Sequence, residues 1–116
     1  MGRRDAEFAT ATRQNGDSLV LSPTGELDMA TAPEFEEASE RAQGGSAILI
    51  DLREMTFIDS TGIRALLQVY SAGQNGHSTV SFIRGQRHVQ RVLQLVGVEQ
   101  LLAWTDPPAE SARDVI

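Results

Sequence analysis

The apolar and polar positions of this chain follow two periods, and the change from one to the other is sharpest between Thr56 and Leu67. Ahead of that stretch, Ala47 to Leu52 carries Ile48, Leu49, Ile50 and Leu52 in one short apolar run, which predicts a central strand covered on both faces. Thr56-Phe57-Ile58 reads as an extended approach to the small polar group Asp59-Ser60-Thr61-Gly62. Behind it, Ile63, Leu66, Leu67 and Tyr70 fall at i, i+3, i+4 and i+7, the spacing that lines one face of a helix. Asp59 or Ser60 is then the N-cap, its side-chain oxygen accepting from N–H groups that a first helical turn leaves unpaired. The pattern holds a hydroxyl at the positive end of a helix.

The same reasoning covers the rest of the chain. Phe8 to Thr12 and Ser18 to Leu21 read as two strands, with Asn15-Gly16 between them as a strong hairpin signal. Pro23-Thr24-Gly25 punctuates, and Glu26-Leu27-Asp28 is expected as a short strand or extended link. Thr31 with Glu34 three residues on has the form of a capping box, and Pro33 fits the first turn of the helix it opens. Phe35, Ala38 and Ala42 form its apolar stripe, and Gly44-Gly45 ends it. After the terminators from Ala72 to Gly76, Thr79 to Ile83 reads as a strand, so strand, helix and strand succeed one another as in a right-handed parallel crossover. Gln86 to Val96 repeats the helical spacing through Val89, Val92, Leu93 and Val96, closed by Gly97. A last short strand is expected near Trp104, and Asp106-Pro107-Pro108 opens a C-terminal helix over about 108–116.

These elements define an α/β domain with a small mixed β-sheet of four to five strands covered by several α-helices. The sheet is antiparallel at the N-terminal hairpin and parallel around the central strand. Its length of 116 residues fits one domain, 1–116, with a core over about 7–104. The absence of cysteine excludes disulfides, thiolate catalysis and cysteine-ligated zinc. No run reaches the roughly 18 apolar residues of a membrane span, and Met1 to Glu7 lacks the apolar centre of a signal peptide, so a cytoplasmic protein without a membrane partner is expected. The net charge of −6, with no lysine and no basic tract, sets nucleic acid aside, because neutralising phosphates supplies most of that affinity. Glu34, Glu36, Glu37 and Glu40 read as a solvated helix face, and so do Arg87, His88 and Arg91, a small basic patch that could otherwise meet an acidic partner.

Several chemistries could use a hydroxyl at such a turn. A nucleophile elbow wants glycines two before and two after its serine; Gly62 meets the second condition, but Ile58 occupies the first, and neither His77 nor His88 is tied to Ser60 by the sequence. The apolar run before Asp59-Ser60-Thr61-Gly62 is similar to an aspartic protease motif, yet Gly62 is one residue too late and a helix follows at once. There is no His-Glu-x-x-His, and without lysine no phosphate-binding loop, so no cofactor or metal is expected. Weak nucleotide binding at the helix start near Thr61-Gly62 stays open. The remaining reading makes Ser60 a substrate. A phosphate there adds about −1.5 to −2 charge, which the helix dipole tolerates and Asp59 repels. The fold survives while the surface changes.

Four pieces of sequence resemble the STAS domain family, specifically its stand-alone bacterial anti-sigma factor antagonists. They are Gly25-Glu26-Leu27-Asp28 with Ala30-Thr31-Ala32-Pro33; Ile48-Leu49-Ile50-Asp51-Leu52; Phe57-Ile58-Asp59-Ser60-Thr61-Gly62-Ile63; and the helix from Val89 to Gly97. Together they span about Glu7 to Trp104. The resemblance implies a non-enzymatic regulator that binds an anti-sigma factor serine kinase when unphosphorylated and so frees a sigma factor. Phosphorylation of Ser60 from ATP would end the binding, and a PP2C-type phosphatase would restore it. It further implies that Asp59 shapes the phosphosite, that Asp28 lies at the partner-binding end of the sheet, and that Thr61, where many relatives carry a second serine, is a secondary acceptor. Gly62 and Arg64 complete the expected partner surface, with Arg64 read either as the contact that helps choose the partner or as a solvated arginine. The loop after Asp28, Met29-Ala30-Thr31, carries no charge. A STAS module that docks without switching, in a sensory assembly or beside a transporter, is the alternative, with a hydrolase third.

Overall fold

The computed structural model describes residues 8–44 and 47–108. Its elements run β1 (Ala9–Asn15), β2 (Ser18–Leu27), α1 (Ala32–Ala42), β3 (Ala47–Asp51), β4 (Met55–Ile58), α2 (Ser60–Asn75), β5 (Thr79–Ile83) and α3 (Arg87–Leu95), followed by a 3₁₀ turn at Glu99–Leu101. The five strands form one mixed sheet in the order β1-β2-β3-β5, with β4 paired to β2.

β1 and β2 are antiparallel, and Asn15 pairs with Ser18, so Gly16 and Asp17 form the turn. The signal dipeptide therefore sits one residue off the expected centre. Gly16, at φ 64°, takes the first central position, where a two-residue turn of the II′ kind requires a positive angle. β2 is one strand of ten residues, not a strand and a separate link. Its first half pairs with β3 as far as Leu21 and its last three residues pair with β4. Pro23 falls in the interval between these two partners, where on that edge no N–H is needed.

β3, α2 and β5 supply the expected parallel arrangement, with Ala47 to Asp51 beside Thr79 to Ile83. Leu21, Ile48, Ile50, Val80 and Phe82 from the sheet meet Phe35, Ile63, Leu66 and Val69 from the helices in one buried cluster. Truncating one such side chain to alanine costs about 2–5 kcal/mol, which is why the apolar stripes fix which helix face turns inward.

Two further expectations change. The extended approach at Thr56 to Ile58 is a true strand, β4, starting at Met55. Near Trp104 there is a single parallel bridge to Phe82 in place of a strand, held by Phe82 N donating to Ala103 O (2.8 Å) and Thr105 N to Phe82 O (2.9 Å). Trp104 packs on Phe82, and the Arg84 guanidinium lies 5.2 Å from the centre of its ring. The expected C-terminal helix lies outside the described residues except for Pro108, which is not helical, and so does Gly45.

Candidate functional site

The parallel strands β2 and β4 end side by side, Leu27 opposite Ile58. Each is followed by a turn into a helix, so two helix starts meet at one end of the sheet, the end where open parallel sheets commonly place their sites. Leu27 joins them. Its carbonyl accepts from Asp59 N (3.3 Å) and lies directly against Gly62, where an added Cβ would overlap it.

At the start of α2 the N-cap is Asp59, in extended conformation, with Oδ1 accepting from Gly62 N at 3.0 Å. Ser60 is thus the first helical residue and is exposed, Thr61 is half-buried, Gly62 is buried and Arg64 is exposed. Because Asp59 does the capping, Ser60 Oγ makes no hydrogen bond among the described residues. The hydroxyl has no structural duty.

The turn from β2 into α1 is built differently from the expected capping box. Thr31 is the N-cap residue, but its hydroxyl makes no cap bond; it donates to Glu26 O (2.7 Å) and accepts from Asp28 N (2.9 Å). Asp28 Oδ1 in turn accepts from Ala30 N (3.0 Å) and Thr31 N (3.2 Å). This closed loop pushes Met29 out, 74% exposed, while Phe57 near the end of β4 is 46% exposed. Asp28, Asp59, Ser60, Thr61, Gly62 and Arg64, singled out from the sequence, are all carried by these two neighbouring turns and the first two turns of α2.

Sequence reasoning did not single out Met29 or Phe57. An exposed Met after Asp28 and a Phe one residue from the strand end are the signals that were there to read. It placed His88 on a solvated helix face with Arg87 and Arg91, and did not foresee that its Nε2 lies 2.6 Å from Thr56 O. Thr56 is the extra residue of a β-bulge, since Gly25 faces Met55 and Glu26 faces Phe57. Gln86 Nε2 donates to Arg53 O (3.2 Å), so the start of α3 touches the β3–β4 turn through Gln86 and the edge of β4 through His88. His77 stands past the opposite end of α2 from Ser60, roughly 24 Å along a helix of that length.

Asp51, at the end of β3, is a charged group in the interior, 7% exposed. Burial pushes its carboxyl up, but bonds from Arg53 Nε (3.0 Å), Nη2 (2.8 Å) and N (3.0 Å), with the charges of Arg53 and Arg13, outweigh this and hold it below the ordinary carboxylate value. The pair fixes the β3–β4 turn.

Among the described residues no helix is long and apolar enough to cross a membrane, and no cluster of three metal-ligating side chains occurs.

A five-stranded mixed sheet with an exposed serine opening the helix after β4 defines the class. The family model described as Mlab, STAS domain, matches residues 10–103, and the chain belongs to the STAS domain family. The anti-sigma-B factor antagonist of Listeria monocytogenes is 25% identical over 88 residues, covering 74% of this chain and 77% of the relative. The crystal structure of an anti-sigma factor antagonist from Mycobacterium paratuberculosis superposes with a TM-score of 0.79 at 24% identity, covering 100% and 98% of the two chains. The unphosphorylated form of the anti-sigma factor antagonist SpoIIAA gives 0.71 at 20% identity, covering 91% and 94%. These structures share the fold of this chain.

Proposed function

We propose that this chain is an anti-sigma factor antagonist whose unphosphorylated form binds an anti-sigma factor serine kinase and releases the sigma factor, and that phosphorylation of Ser60 switches the binding off. The observation that carries the reading is the division of labour at the start of α2: Asp59 caps the helix and Ser60 presents an exposed hydroxyl that the fold does not use. A kinase can modify that oxygen without unfolding anything. The added charge lands three residues after the exposed Phe57 and in the turn beside the one that carries the exposed Met29, apolar groups that a docked partner would cover, and a dianion in a desolvated contact is strongly unfavourable. A PP2C-type phosphatase restores the starting state. Thr61, half-buried one residue on, is the secondary acceptor, and the ATP in the reaction is held by the kinase, with at most weak nucleotide binding here. The chain itself is no enzyme in this scheme, and its place is the cytoplasm.

The test is binding to candidate anti-sigma factor kinases. Ser60→Ala should bind as the unmodified protein does and resist ATP-dependent modification, whereas Ser60→Asp should bind at least about tenfold more weakly, some 1.4 kcal/mol. Equal binding by both variants would contradict the switch. That result would favour the second reading, a STAS module that docks without switching, to which the exposed Met29 and Phe57 lend themselves equally.

A further inference from the structure

Arg64 stands four residues after Ser60 on α2 and is exposed. Residues at i and i+4 share a helix face, about 5–6 Å apart at Cβ. Long side chains on a helix lean toward its N-terminus and cover the preceding turn. Arg64 is therefore placed where it can reach back over Ser60, with Thr61 at i−3 from it on the same face. Among the described residues Arg64 makes no ion pair, in contrast to Arg41, which pairs with Glu37 at 3.4 Å, and Arg53, which pairs with Asp51 at 2.8 Å.

The charges around Ser60 are otherwise mostly acidic. Asp59 is fixed one residue before it by its bond to Gly62 N, and Asp28 is fixed in the neighbouring turn by its bonds to Ala30 and Thr31. Glu26 is exposed on β2 beside Phe57, and Glu54 is exposed in the turn before β4. His88, from α3, is held at Thr56 O. A phosphate on Ser60 thus shares this end of the sheet with two carboxylates held by backbone N–H groups and with one exposed guanidinium that makes no ion pair among the described residues.

We infer that Arg64 is the in-cis counterion of phosphorylated Ser60, so that modification both adds a negative charge and withdraws from the partner a cation that is unpaired among the described residues. This rests on the proposed phosphorylation of Ser60. Guanidinium and phosphate match in shape and form paired N–H···O bonds, which a lysine would not reproduce. Before modification Arg64 is available to an acidic group on the docked partner; afterwards it is occupied.

The inference is testable without any kinase by installing phosphoserine at position 60 of the full chain during translation and following it by phosphorus NMR against pH. A nearby cation favours the dianion, so Arg64→Gln should raise the second phosphate pKa by about 0.3 units or more, the scale of an exposed ion pair. Asp59→Asn, which keeps a capping side chain, should lower it. In the unsubstituted protein the Arg64 Nε–H signal should shift and exchange more slowly once the phosphate is present. An unchanged phosphate titration in Arg64→Gln, with an unmoved Arg64 signal, would overturn the inference and leave the switch itself standing. If instead no kinase modifies Ser60, the switch falls, whatever the titration shows.

Discussion

The backbone of Gly62 lies against the carbonyl oxygen of Leu27, so the first turn of α2 and the end of β2 are in direct contact. The same carbonyl accepts from Asp59 N, and an added Cβ on Gly62 would also come within 2.8 Å of Ile58 Cγ1. Gly62→Ala should therefore force the two turns apart. Overpacking of this kind costs about 1–3 kcal/mol, and the obstacle here is backbone, which cannot rotate away. Urea denaturation should show a loss of at least about 1 kcal/mol, and unchanged or increased stability would contradict the close approach.

Asp59 has a structural duty that Ser60 lacks. Asp59→Ala should destabilise the domain by about 1 kcal/mol, and Asp59→Asn should retain most of the stability because its side-chain oxygen still caps. Ser60→Ala should stay within about 0.5 kcal/mol of the parent. A loss in Ser60→Ala as large as in Asp59→Ala would mean that the hydroxyl is structural after all.

Met29 in the β2–α1 turn and Phe57 in β4 are exposed, and cutting them back should leave stability within about 0.5 kcal/mol. The double substitution Met29→Ala/Phe57→Ala should weaken binding to the anti-sigma partner by about tenfold or more, as truncation of central apolar anchors does. Calorimetric titration of the purified pair decides the matter; unchanged affinity would place the contact elsewhere.

The Asp51–Arg53 pair predicts a dependence on pH. The folded-state pKa of Asp51 lies below its unfolded value, so its contribution is fully present above the ordinary carboxylate range, about 4, and is lost as pH falls through the lowered folded value. Arg53→Met should cost about 1–2 kcal/mol at neutral pH, discounted because the Arg53 side chain is 40% exposed. It should also move the onset of acid unfolding to higher pH. An acid limb that matches the parent would show that the pair does not govern it.

Most of the architecture was legible because its cues are local. The apolar run from Ile48 and the helical spacing from Ile63 identified β3 and α2, and the chemistry of Asp59-Ser60 placed the helix start to within one residue. What was hidden depends on partners far along the chain. Pro23 and Gly25 look like a break, yet β2 runs through them because it changes neighbours there, from β3 to β4. β4 looks too short and irregular to be a strand because Thr56 is a bulge, and its carbonyl is met by His88 from a helix 32 residues away. Thr31 and Glu34 have the spacing of a capping box, but the Thr31 hydroxyl is taken by Glu26 and Asp28 across the turn. Within the site, the charged and hydroxyl residues could be named from sequence, whereas the exposure of Met29 and Phe57 is a property of the folded surface.

The most direct test of the switch is intact mass spectrometry of this chain after incubation with candidate anti-sigma factor kinases and ATP. The account predicts the mass of one phosphoryl group, mapped to Ser60 by fragmentation, absent in Ser60→Ala and accompanied by dissociation from the kinase. A kinase that binds the chain tightly in the presence of ATP and leaves Ser60 unmodified would contradict it.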